Sequence, residues 1–158
     1  MPSIPLAELL SQRAEMQSAL SRLSARLLAA ARNIKDEPPT EDPRALFEEA
    51  EQLHNRLFSV IQAINHANLV ARLDDGTLLA DAIVKRDILS RRIALLRSVA
   101  QAASNTDECR HTMRGTLLTV PAVDIQALHT QAEELAQACR HLDNQIQRTN
   151  WKYEVSRD

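Results

Sequence analysis

Residues 46–71 read LFEEAEQLHNRLFSVIQAINHANLVA. Within them Leu46, Ala50, Leu53, Leu57, Val60, Ile64, Ala67 and Ala71 recur at alternating steps of four and three. An α-helix turns once every 3.6 residues, so this spacing gathers the eight side chains into one apolar seam. No glycine or proline interrupts the stretch, and either would break or weaken a helix interior. Just upstream, Asp42-Pro43 has the chemistry of an N-cap followed by a first helical residue. Glu48 and Glu49 suit the positive end of the helix dipole.

The same rule reads outward in both directions. Leu6, Leu9, Arg13, Met16, Leu20, Leu23, Leu27, Ala30 and Ile34 form a first seam. Leu79, Ala82, Arg86, Leu89, Ile93, Leu96, Ala100 and Ala103 form a third. Ile125, Leu128, Ala132, Leu135, Cys139, Leu142 and Ile146 form a fourth. Every seam residue is apolar except Arg13 and Arg86. The start signals are Pro5 for the first helix, Thr77 as N-cap of the third and Asp124 as N-cap of the fourth. Helices are expected at about 4–34, 43–71, 78–103 and 124–150, in one domain over 1–158. With only two glycines and 3% aromatic residues, the chain has few turn residues and a core of Leu, Ile, Val and Ala. The expected fold is all-α: an antiparallel up-down four-helix bundle with long helices.

Three connections join these helices. Residues 35–41 are a polar, proline-stiffened link, and residues 72–77, with Asp74-Asp75-Gly76, are a tight turn. Residues 104–122 are longer, and Thr116-Leu-Leu-Thr-Val120 is β-prone, so an extended arm or short β segment is expected there. A lone strand leaves backbone N–H and C=O groups in want of partners. A second copy would supply them, which predicts a homo-oligomer, dimer or higher, joined through the arm. Phe47, Phe58 and Ile61 flank the seam and would gain from burial at such an interface.

The two seam arginines define a polar layer. Both lie about eight residues into helices that start at the same end, which places them at one height, roughly 12 Å in, with guanidiniums within about 10 Å. Asn65, Asn68, Asp143, Asn150 and Trp151 fall near that end. A buried arginine needs partners, and Asp143, Asp87, Glu15 and the asparagine amides are the candidates. The layer has three readings: a structural register device, an anion or small-ligand site, or an arginine stem on the seam with its head in water. Trp151, the only tryptophan, is expected as an apolar plug at the same end.

Other chemistry finds little support. Net charge is −2 and the pI about 6.2, so no basic field suits nucleic acid. Arg91-Arg92 reads as a solvated basic face. Glu51 and His54 have the Glu-x-x-His spacing of di-iron helices but flank the seam, and Glu108 to His111 lies in the arm, so no metal is expected. Cys139 reads as a small core residue, and Cys109 has no base beside it in sequence. No phosphate-binding glycine loop, cofactor motif or catalytic set is visible. No export signal or long apolar run appears, and a cytoplasmic protein with free thiols is expected.

Several stretches carry a family resemblance: Leu9-Leu-Ser-Gln-Arg13-Ala-Glu-Met-Gln17, Ile64-Asn-His-Ala-Asn68, Leu73-Asp-Asp-Gly76, Lys85-Arg-Asp87 and Ile146-Gln-Arg-Thr-Asn-Trp151. Together they resemble a family of small bacterial helical proteins known as septicolysins, over nearly the whole chain. Where Ala67 stands, members of that family often carry threonine. The resemblance implies a membrane-acting cytolysin and brings no catalytic residues with it. It also marks Arg13, Asn65, Asn68, Arg86, Asn150 and Trp151. The residues themselves favour a non-enzymatic, self-associating protein that acts through protein interactions. A cytolysin, and an anion or ligand binder using the arginine layer, are the alternatives.

Overall fold

The computed structural model describes residues 3–32, 41–104, 110–112, 115–117 and 120–156, with the backbone alone at 110–112 and 115–117. Ile34, most of the 35–41 link, Glu108 and Cys109 lie outside the described residues. Four helices carry the fold: α1 Leu6–Ala30, α2 Pro43–Val70, α3 Leu79–Ser104 and α4 Ile125–Lys152. Four short strands accompany them: β1 Ser3–Pro5, β2 Arg110–Thr112, β3 Gly115–Leu117 and β4 Glu154–Ser156. The protein is all-α in class, as the four seams predict. Every described seam residue is buried or half-buried.

The chain divides into two compact units, Met1–Arg72 with Gln147–Asp158, and Leu73–Ile146. In the first, α1 and α2 run antiparallel. Leu23, Leu46 and Ala50 pack together, with Leu27 and Ala30 against them. At the other end of the pair, Leu9 and Gln12 share a groove with Val60 and Ala63. Asp42 caps α2, its carboxylate accepting the Arg44 N–H at 3.0 Å, and Pro43 takes the first turn.

An ion pair closes the linked ends of α1 and α2. Arg26 Nε–H donates to Glu41 at 3.1 Å, and Arg26 Nη1 lies 3.8 Å from Glu49. The hydrogen bond from Arg26 holds the Glu41 carboxyl below the ordinary carboxylate range. A carboxylate whose folded pKa is depressed adds stability above its unfolded pKa and loses it as pH falls through the folded value. Glu41→Gln should therefore melt slightly below wild type at neutral pH, the pair being solvent-exposed. The gap should narrow as pH falls below the ordinary glutamate value of about 4.3 and close once pH is below the lowered folded value. A gap that persisted there would show that Glu41 acts through something other than its charge.

The N-terminal helix starts differently from the sequence expectation. Pro5 is the last residue of β1 and the cap position of α1, and no side chain caps that helix. Instead β1 pairs antiparallel with β4, matching Ser3 with Ser156, Ile4 with Val155 and Pro5 with Glu154. The Leu6 N–H, an orphan of the first helical turn, donates to the Tyr153 carbonyl at 2.9 Å. Leu6 is fully buried. Both ends of the described chain thus form one ribbon.

In the second unit, α3 and α4 are antiparallel. Arg86 meets Asp143, Ser90 meets Cys139 and Arg97 meets Glu133, the α4 number falling as the α3 number rises. Ala82, Ala100, Ala132 and Ala136 are buried; small residues let helix axes approach closely. Asp124 caps α4 by accepting the Ala127 N–H at 3.0 Å. The cap of α3 is Leu78 rather than Thr77, since the first helical bond runs from the Ala82 N–H to the Leu78 carbonyl. Thr77 belongs to the preceding turn, where its N–H donates to Asp75 at 2.9 Å. Gly76 completes that turn with φ +85, a conformation that favours glycine.

The arm carries the expected short β segment, as a pair of strands rather than a lone one. β2 pairs with β3 as an antiparallel hairpin, matching Arg110 with Leu117, His111 with Thr116 and Thr112 with Gly115. Each strand thus has a partner within the arm.

Candidate functional site

A groove of about 530 Å³ lies between α3 and α4 in the second unit. Arg86, Arg97 and Arg140 line it with Ser90, Cys139 and Asp143. The antiparallel pairing makes it: each helix contributes residues one or two turns apart, which project to the same side. Arg86 Nη2 donates to Asp87 at 2.8 Å and Nη1 to Asp143 at 3.4 Å. These bonds, the Asp87 bond foremost, hold the guanidinium above the ordinary arginine range. Glu133 takes the other two, at 3.8 Å from Arg97 and 3.0 Å from Arg140. Three guanidiniums thus face Asp87, Asp143 and Glu133. The groove is close to electrically balanced, which weakens its case as an anion site. Cys139 Sγ lies 3.5 Å from Ser90 Oγ and 3.9 Å from the Arg86 carbonyl.

The expected polar layer divides between the units. Arg86 and Asp143 belong to the second, and Arg13, Asn65, Asn68, Asn150 and Trp151 to the first. Arg13 is half-buried, and its Nε is buried without a hydrogen-bond partner. Glu15, one expected partner, accepts from Ser11 at 3.2 Å instead. Asn150 is buried and Asn68 half-buried, but Asn65 is exposed. Asn65 follows the seam residue Ile64 and is turned about 100° away from it. Trp151 is not a plug: it is 65% exposed. The buried face of α4 runs through Ile146, Thr149 and Asn150 to the half-buried Tyr153, and Trp151 stands one residue off that face.

A second groove, of about 660 Å³, lies in the first unit beside the terminal ribbon, lined by Leu9, Gln12, Val60, His66 and Val155 among others. Among the described residues that line it, His66 is the one with an ionisable side chain. Ser59 Oγ donates to the Asn55 carbonyl at 3.3 Å. Glu51 and His54, the di-iron spacing on α2, are both exposed. Among the described residues no group of histidine, cysteine and carboxylates could hold a metal ion.

Several large apolar side chains are exposed on α2 and α3. Phe47 and Phe58 on α2 are each 62% exposed, and Leu69 is 67% exposed. They recur every eleven residues, about three turns, and so form one stripe. On α3, Val84 is 62% exposed, Ile88 50% and Leu95 64%, with Val99 continuing the line. α3 therefore has apolar residues on two faces: the buried seam and an outer stripe.

Residues 13–155 match the model of a family of unknown function (DUF6847). The chain belongs to that family. It is also similar to a functionally unknown conserved protein from Corynebacterium diphtheriae, whose crystal structure superposes with a TM-score of 0.89 at 31% sequence identity, over 98% of this chain and 100% of that one. No curated protein matches the chain.

The outer stripe of α3 is the feature that a search for one seam per helix misses. Val84, Ile88, Leu95 and Val99 follow helical spacing as well as the inner seam does. Arg91 and Arg92 sit among them, which makes the stretch read as a solvated basic face.

Proposed function

We propose that this family member is a non-enzymatic helical protein that works through self-association, using the outer apolar faces of α2 and α3. The exposure of Phe47, Phe58, Leu69, Val84, Ile88 and Leu95 carries this reading. Apolar side chains scattered singly on a surface are ordinary, but aligned in stripes they mark interaction sites. Phe58→Glu and Leu95→Glu should each lower the associated fraction in light scattering while the helical circular dichroism stays that of wild type. Association unchanged in both variants would refute the role of these faces.

The resemblance to septicolysins supports a second reading, membrane lysis, and the same exposed stripes would meet a bilayer. No helix among the described residues is long and apolar enough to cross a membrane. Dye-loaded anionic vesicles separate the two: self-association predicts no release at micromolar protein, and release would establish the lytic reading in its place.

A further inference from the structure

The two outer stripes match each other in spacing. Phe47, Glu51, His54 and Phe58 advance along α2 by four, three and four residues. Leu95, Arg91, Ile88 and Val84, taken backwards along α3, step by four, three and four as well. All eight side chains are exposed. Spacing of this kind is what an antiparallel coiled-coil seam requires. Phe47 would meet Leu95, Glu51 would meet Arg91, His54 would meet Ile88 and Phe58 would meet Val84.

Charge complementarity favours this pairing over α3 on α3. Residues 47–58 hold Glu48, Glu49 and Glu51 against Arg56. Residues 84–95 hold Lys85, Arg86, Arg91 and Arg92 against Asp87. Two copies of this α3 stretch laid on each other would oppose the same excess of positive charge, which is unfavourable. Glu51 and Arg91 make no ion pair among the described residues, so each is available to the other. The His54 Nδ1–H donates to the Ala50 carbonyl at 2.9 Å, which leaves the rest of the ring to pack on an apolar neighbour.

We infer that the outer face of α2 docks antiparallel on the outer face of α3 of a second copy of this chain, with Glu51 and Arg91 as the charge pair that sets the register. The inference rests on the self-association reading. An apolar seam with one charge pair is the arrangement by which helical interfaces fix partner and orientation.

Sedimentation equilibrium on wild type, Glu51→Arg, Arg91→Glu and the double variant tests it. Both positions are exposed, and circular dichroism of each variant checks that the helices are intact. Each single reversal should raise the dissociation constant about tenfold or more by opposing like charges, and the double variant should recover most of the loss. If Arg91→Glu alone tightens association, α3 packs on α3 and the inference is overturned. If wild type associates but neither reversal changes the constant, this register is wrong while self-association stands. A wild type that is monomeric removes the self-association reading itself.

Discussion

Replacing Ile64 with alanine is expected to lower the unfolding free energy by about 2–5 kcal/mol. Ile64 is 2% exposed on the inner face of α2, so truncation removes buried surface and leaves a cavity among side chains that relax only in part. Phe58, two turns earlier on the same helix, is 62% exposed. At concentrations where the chain is monomeric, Phe58→Ala should change stability by no more than about 0.5 kcal/mol, even though it deletes the larger side chain. Urea unfolding of the two variants reads the difference. Equal losses would mean that the inner and outer faces of α2 are assigned wrongly.

The second large effect is expected at the chain ends. Deleting residues 153–158 removes the partner of β1 and the carbonyl that receives the Leu6 N–H. It also uncovers part of a residue with no exposed surface, Leu6. Lost ladder bonds at about 1 kcal/mol each and partial exposure of one leucine at about 1–2 kcal/mol together predict a loss of roughly 3 kcal/mol. For a chain of this size that lowers Tm by about 6–12 °C. An unchanged Tm would show that the ribbon decorates the first unit without holding it.

These two predictions fall on opposite sides of what the sequence reveals. The inner seams are legible because burial repeats with the helical period, and a single run such as Leu46 to Ala71 carries many repeats of one signal. Caps with a side chain to name, Asp42 and Asp124, are legible for the same local reason. The ribbon is not: three-residue strands at opposite ends of a chain have no period, and their partner is set by tertiary closure. The arm hairpin was half legible, since β propensity marks a strand without saying which strand it meets.

The candidate site shows the same limit at finer scale. Arg86 with Asp87 and Asp143 follows from height along antiparallel helices. Height alone places Asn65 and Trp151 at the layer, and one residue of rotation, about 100°, turns them to solvent. The outer stripe of α3 was present in the sequence as plainly as the inner seam. Its arginines disguised it, because a charge inside an apolar stripe reads as solvation unless a complementary charge is sought on another face.

The central claim is that the outer faces of α2 and α3 exist to meet another copy of the chain. Sedimentation equilibrium of the wild-type protein across a concentration series up to tens of micromolar tests it most directly. The weight-average mass should rise with concentration to about twice the 17.7 kDa chain mass or beyond. A mass that stays at 17.7 kDa throughout would contradict it.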